Sequence, residues 1–298
     1  MKSELLHTVS AELIQARLDR RKFFRQAGLF GLGAAASGLI ADSAVAQKPV
    51  NPVVTDQERD TVTEIFTAAL IAEDLASTFY YNGLVGPVIQ DPNLAGPGGS
   101  ATNVTTGDFG NVNYIRAALS EEITHANLLR SLLGISGPAA DPVQTFYFPV
   151  GSFDTLAAFI GLLEVLENAF IGAYLTAVQE FAIKASNIAI IQQFYPKDPD
   201  AKYTATQLAY FAKVSASIMG IECEHRVLGR DIANLIPANN INYEETDGLT
   251  AVFNGATSAV AALTPFLTPS TGPAFSLAVA LANQSTVSTP TVGGPPAS

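Results

Sequence analysis

The stretch IECEH, residues 221–225, places a glutamate three residues before a histidine within an apolar region. The same spacing recurs once, in EEITH at 121–125. The chain contains three histidines, and the third, His7, lies near the N-terminus in a segment of different character. Residues three apart lie on the same face of a helix. Each pair is therefore expected to present one carboxylate and one imidazole in the same direction.

Hydrophobic periodicity predicts four long helices around and beside these pairs. Their approximate bounds are residues 55–84, 112–133, 153–185 and 204–235. We expect Thr55 or Asp56 to cap the first helix and Gly83 to end it. Thr204 and Gln207 form a capping-box pattern at the start of the fourth helix. Four amphipathic helices with little strand signal predict an all-α four-helix bundle.

The segments between and after these helices are less regular. A loop rich in Gly, Pro, Asn and Thr covers residues 83–110. Residues 186–196 are expected to form a short extra helix, and residues 246–263 a fifth helical piece. No charged side chain occurs in residues 248–298. We expect the apolar part of this tail, 275–282, to pack on the bundle or on a partner. The last dozen or so residues are expected to be disordered.

Each predicted helix has a mainly apolar seam that is interrupted near its middle by a glutamate or by a Glu/His pair. The interrupting residues are Glu73, Glu122, His125, Glu167, Glu222 and His225. A buried carboxylate without a partner is strongly unfavourable, and several together repel one another. Four carboxylates and two imidazoles suit two divalent metal ions, because carboxylate oxygens bridge ions and balance their charge. Di-iron and di-manganese bundles use this ligand pattern.

Some of these residues have a competing interpretation. His125 and His225 could be core histidines with ordinary hydrogen-bond partners, although their matched spacing favours metal ligation. Glu164 competes with Glu167, because it lies one turn earlier and near the same face. The phase of the seam favours Glu167 as the ligand and leaves Glu164 as a neighbour of the site.

The charged and aromatic residues beside the seam also allow alternatives. Glu73 could form an interior ion pair with Arg116 or Arg130. Glu121 and Glu224 point about 100° away from the adjacent seam residues, so we expect them at the surface. Further residues could hydrogen-bond the ligands or serve in packing and surface pairs, namely Tyr80, Tyr81, Tyr114, Tyr174, Arg226 and Asp231.

The four helical segments resemble the ferritin-like superfamily, in particular exported ferritin-like domain proteins related to desiccation-associated proteins. The stretches that carry the resemblance are ALIAEDLASTFYYNGL, EEITHANLL, ENAFIGAYLTA and IECEHRVLGRDI. The resemblance covers about residues 55–235. It implies a metal centre with the ligands Glu73, Glu122, His125, Glu167, Glu222 and His225. It further implies two iron ions as the cofactor, with manganese as the alternative. The long first loop and the uncharged tail depart from the family and disfavour a storage cage.

The first 46 residues have the pattern of an export signal. RRKFFR at 20–25 precedes a charge-free apolar run at 27–40 and the small residues Ala44 and Ala46. The run is too short to span a bilayer. The paired arginines resemble a twin-arginine signal, with an ordinary secretory signal as the alternative. Cleavage is expected after Ala46, with an uncleaved, membrane-tethered signal as the alternative. We therefore expect a periplasmic or extracellular protein in three parts: signal 1–46, bundle 47–240 and extension 241–298.

Composition excludes several classes of function. Without residues 1–46 the chain has 10 basic and 23 acidic residues, a net charge of −13. Such a chain is poorly suited to nucleic acid. Cys223 is the only cysteine. This excludes an intramolecular disulfide and the four-cysteine iron module of rubrerythrin.

These observations predict an exported di-metal carboxylate protein, with iron as the expected metal, that reacts with dioxygen or peroxide. Iron oxidation and peroxide removal are the expected reactions. One alternative is an activity like that of manganese catalase. The other is a structural or stress-protective bundle without enzymatic activity. We expect no membrane-spanning helix and allow for a homo-oligomer.

Overall fold

The protein is described by a computed structural model at residues 60–91, 94, 111–233 and 262–287. Four long helices form a bundle, with α1 at Val62–Val85, α2 at Asn111–Leu133, α3 at Leu156–Phe194 and α4 at Ala205–Ile232. Helix α1 packs mainly against α2, and α3 packs mainly against α4. The predicted all-α four-helix bundle is confirmed.

The start of α1 differs from the prediction. The helix begins at Val62, where Thr61 accepts a hydrogen bond from the Glu64 backbone amide and the Glu64 side chain accepts one from the Thr61 amide. This capping box satisfies amide groups that have no partner inside the helix. The predicted start near residue 55 is therefore wrong.

The end of α1 also lies beyond the predicted stop at Gly83. The helix continues to Val85. A Cβ atom at Gly83 would collide with the ring of Phe159 on α3. This glycine therefore allows α1 and α3 to approach closely and does not terminate the helix.

Helix α3 is longer than predicted, because it runs without a break to Phe194. The separate short helix expected at 186–196 is wrong. No glycine or proline occurs between Gly172 and Pro196, so nothing in the sequence breaks the helix there. By length and composition α3 could cross a membrane, but 61% of its most apolar stretch is buried inside the bundle. A core helix commonly has this character.

Two short strands were not anticipated. Strand β1, Thr145–Tyr147, pairs antiparallel with β2, Ala274–Ser276. Three residues are too few to show the alternating pattern that identifies a strand in sequence. The strand pair joins the C-terminal segment to the bundle, and the following short helix α5, Leu277–Asn283, packs against α1. The predicted packing of residues 275–282 on the bundle is confirmed.

Two aromatic clusters occupy the core on either side of the middle of the bundle. One contains Phe66, Phe181 and Phe211, with ring centroids 5.0 to 5.6 Å apart. The other includes Phe79 and Phe159, whose stacked rings are 4.6 Å apart. Along α1 the seam glutamate lies between Phe66 and Phe79. The polar middle of the bundle is therefore closed by apolar side chains at both ends.

Several predictions lie outside the described residues. These are the export signal at 1–46, most of the loop at 83–110, the helical piece at 246–263 except its last two residues, and the end of the chain after residue 287.

Candidate metal centre

The four helices bring all six seam residues to one place inside the bundle. Two groups of potential ligand atoms result, and within each group the atoms lie within 4.8 Å of one another. The first, here the His125 group, consists of Glu73, Glu122, His125 and Glu222. The second, the His225 group, consists of Glu122, Glu167, Glu222 and His225. Glu122 and Glu222 belong to both groups, so their carboxylates can be shared between two ions.

Both histidines direct Nδ1 toward the carboxylates. His125 Nδ1 is 3.3 Å from Glu73 Oε2 and 3.5 Å from Glu222 Oε1. His225 Nδ1 is 2.9 Å from Glu122 Oε1 and 3.5 Å from Glu222 Oε2. Glu222 therefore reaches both imidazoles, as a carboxylate between two ions would.

Most of these ligand atoms are buried, yet they form no hydrogen bond within the described part of the chain. The atoms concerned are Glu73 Oε2, both oxygens of Glu122 and Glu222, Glu167 Oε2, and Nδ1 of His125 and His225. The contacts that they do make are close approaches between carboxylates and imidazoles, the shortest being 2.9 Å between Glu122 Oε1 and His225 Nδ1. Buried polar atoms are nearly always satisfied in folded proteins. A pair of cations at the centre would satisfy this whole set, so the residues fit a di-metal site.

The cluster favours bound protons when no cation is present. Burial raises the pKa of Glu122 and Glu167 well above the usual range of a carboxyl group. Burial also opposes ionisation of Glu222, but the adjacent histidines outweigh it and hold that pKa at about 2. Burial would lower the pKa of His125 and His225, but nearby carboxylates raise both, that of His125 to about 10. Protons thus supply the positive charge that metal ions would otherwise supply.

Two buried tyrosines hold the outer carboxylates in a reciprocal arrangement. Tyr80 on α1 donates to Glu167 Oε1 on α3 at 2.7 Å, and Tyr174 on α3 donates to Glu73 Oε1 on α1. In each helix the tyrosine follows the glutamate by seven residues, in the sequences EDLASTFY and ENAFIGAY. The expectation that Tyr80 and Tyr174 could hydrogen-bond the ligands is therefore confirmed, and the alternative that they serve only in packing is wrong.

We expect Tyr80→Phe to lower the free energy of unfolding of the metal-free protein by about 1–3 kcal/mol, because a buried acceptor loses its donor. Tyr174→Phe should have an effect of the same sign. Urea denaturation monitored by circular dichroism measures the change. Tyr114→Phe is the matched control, because Tyr114 is 46% exposed. An equal effect in the control would show that the two buried hydroxyls have no special role.

Glu121 is not simply a surface acid, and this corrects the prediction. Its side chain is 46% exposed, but Oε2 lies 2.8 Å from Nε2 of His225. The prediction considered only the direction of Glu121 relative to its own helix, whereas the contact is with a residue of α4. Glu224, the other acid expected at the surface, is exposed.

Other buried charges lie beside the centre and have partners of their own. Arg130 does not pair with Glu73, since its guanidinium contacts Asp74 at 2.5 Å and Asp141 at 2.7 Å. Glu164 accepts a hydrogen bond from Arg230 at 2.9 Å. Neither ligand group includes Glu164.

The other charged residues considered as partners of the site do not contact its carboxylates in the contacts described below. Arg116 donates to the carbonyl oxygen of Val287, not to a seam glutamate. Arg226 is buried and donates to Asn168 at 3.0 Å, so it is not part of a surface pair. Asp231 is exposed.

Comparison with known proteins gives one family. Residues 61–192 match the family model of the ferritin-like domain. This stretch contains α1, α2 and nearly all of α3, and it ends before α4. No curated protein and no solved structure matches the chain. Residues 61–192 are therefore similar to the ferritin-like domain, and the four-helix bundle and the buried carboxylate–histidine cluster agree with that similarity.

Proposed function

We propose that the protein is a di-metal carboxylate protein, with iron as the metal, that reacts with dioxygen or peroxide. The observation that carries the proposal is the set of buried ligand atoms without hydrogen bonds at the centre of the bundle. Such a set is a burden on a purely structural bundle, because burial of unpaired polar groups destabilises the fold.

The proposed ligands divide between two ions. Glu73 and His125 would hold one, Glu167 and His225 the other, and Glu122 and Glu222 would be shared. Carboxylates and imidazoles of this kind accept both iron and manganese. Iron is proposed because the resemblance favours it, and manganese with a catalase-like activity is the alternative.

Bound metal ions would supply redox chemistry toward dioxygen or peroxide. The protein's own contribution is to hold the ligands and to limit the access of water. Tyr80 and Tyr174 restrain the outer carboxylates by hydrogen bonds. The aromatic clusters above and below exclude solvent from the centre, which strengthens the electrostatic interactions there.

We also propose that the protein works outside the cytoplasm after export of the folded, loaded chain. Only the N-terminal sequence supports this part of the proposal, through its basic region, short apolar run and small residues before position 47. N-terminal sequencing of protein purified from the exporting cells tests it, and a start at residue 47 is expected.

The metal proposal is tested by elemental analysis of the protein purified from the cells that naturally export it. We expect about two iron ions per chain and consumption of dioxygen or peroxide when reduced protein is mixed with either oxidant. The double variant Glu122→Ala/His225→Ala should contain no iron and consume neither. Its helical content, measured by circular dichroism, serves as the control for folding.

Different outcomes separate the alternatives. Two manganese ions per chain and release of dioxygen from peroxide would establish the catalase-like activity. Absence of metal, with no change in melting temperature on anaerobic addition of Fe²⁺, would refute the di-metal proposal. It would leave a protective, desiccation-related bundle as the function.

A further inference from the structure

The two halves of the centre are alike in most respects. Helices α1 and α3 each contribute a glutamate and a tyrosine seven residues later, and each tyrosine donates to the glutamate of the other helix. Helices α2 and α4 each contribute a Glu-x-x-His pair, and both histidines direct Nδ1 inward. A site with this symmetry would bind two ions with nearly equal affinity.

One position breaks the symmetry. Glu121, directly before the shared Glu122, contacts Nε2 of His225 at 2.8 Å. The equivalent residue of α4, directly before the shared Glu222, is Ile221. Its side chain has no polar atom to offer an imidazole.

The two histidines differ accordingly. The His225 side chain is 1% exposed and has a carboxylate at its outer nitrogen. The His125 side chain is 12% exposed, and no hydrogen bond of its outer nitrogen occurs among the residues that the structure describes. The ring orientation of His225 is therefore fixed by a contact for which His125 has no counterpart among the described residues.

From this difference we propose that Glu121 is a positioning residue for His225 that makes the two metal positions unequal, so that the His225 group binds a divalent ion first and more tightly. The inference rests on the proposed di-metal function and adds an order of filling to it.

The physical reason lies in the second nitrogen of the imidazole. A carboxylate that accepts the Nε2 proton fixes the tautomer with its lone pair on Nδ1, the atom that faces the other carboxylates. It also makes the imidazole a stronger donor to a metal. Loss of such a partner typically lowers metal affinity about 10–100-fold. His125 must instead lose rotational freedom when an ion binds.

The test uses Co²⁺, whose visible absorption reports coordination by protein ligands, with metal-free protein and a competing chelator under anaerobic conditions. We expect two binding steps in the chain that begins at residue 47, with dissociation constants separated by at least about tenfold. In Glu121→Ala the tighter step should weaken by roughly 10–100-fold, and the two steps should merge. Glu121→Gln keeps a neutral acceptor, so the affinity of its tighter step should lie between those of the unaltered protein and Glu121→Ala.

Two variants make the test specific. Glu224→Ala removes an equal charge from an exposed position directly before His225. It should leave both binding steps unchanged. Ile221→Glu supplies a carboxylate at the equivalent position and should tighten the weaker step. A merely structural role of Glu121 would lower the melting temperature of the metal-free protein without a selective change in one binding step.

The outcomes distinguish this inference from the proposed function. Two steps of equal affinity, or a tighter step that changes less than about threefold in Glu121→Ala, would overturn the inference while the di-metal site stands. Absence of any Co²⁺ binding by the unaltered protein would overturn the di-metal proposal itself, and the inference with it.

Discussion

Glu222→Ala is expected to remove both metal ions, whereas Glu73→Ala is expected to remove only one. Glu222 belongs to both ligand groups and contacts both histidines, at 3.5 Å in each case. Glu73 belongs to the His125 group alone. The metal content of the purified variants should therefore fall from about two ions per chain to none in the first and to about one in the second. Elemental analysis, normalised to protein by amino-acid analysis, gives the numbers.

The control for this pair is Glu224→Ala, which removes an exposed carboxylate from the same helix and should retain both ions. Each variant is first compared with the parent by circular dichroism, because a loss of helix would also release metal. Equal metal content in Glu222→Ala and Glu73→Ala, with the fold intact, would show that Glu222 is not shared between two ions.

The stability of the metal-free protein is expected to fall as pH rises from 7 to 9. The histidine pKa of about 6.5 in the unfolded chain is raised to about 10 for His125, where burial is outweighed by Glu73 and Glu222. The folded state therefore keeps a proton that the unfolded chain has released. Stability from this proton is complete below pH 6.5 and is lost as pH rises toward 10.

Other buried carboxyl groups in and beside the cluster act in the same direction. Burial raises the pKa of Glu122 and Glu167 well above that of the unfolded chain. It also raises that of Asp74 to about 8. Glu222, whose pKa is lowered to about 2, affects stability only below the carboxyl pKa of about 4.5 in the unfolded chain. One proton retained on folding corresponds to a slope of about 1.4 kcal/mol per pH unit.

Metal should reverse this dependence. The ligands bind cations only when they are deprotonated, so metal affinity rises with pH. The stabilisation that a fixed concentration of metal provides rises with that affinity. Urea denaturation at pH 7, 8 and 9, with chelator and with metal, measures both slopes. The metal-free variant His125→Gln should show a smaller slope than the parent protein. A metal-free stability that is constant or rises across this range would contradict the prediction.

The four long helices could be predicted from the sequence, because hydrophobic periodicity and capping residues are local properties of each helix. The capping box at Thr204 and Gln207 is formed as predicted, and Gly134, at the end of α2, has the positive φ that glycine favours. The errors occurred where a local signal had a tertiary cause. Gly83 was interpreted as a terminator, although it makes room for the ring of Phe159.

The sequence by itself determined the bundle and nominated the six candidate ligands, since helical periodicity and Glu-x-x-His spacing are properties of single helices. Only the tertiary structure decided which partner each group has. In the folded chain Glu222 contacts both histidines, Arg130 pairs with Asp74 and Asp141, and Glu121 contacts His225. The physical reason is that these contacts join residues of different segments, and the register and rotation of one helix against another depend on the packing of the whole core.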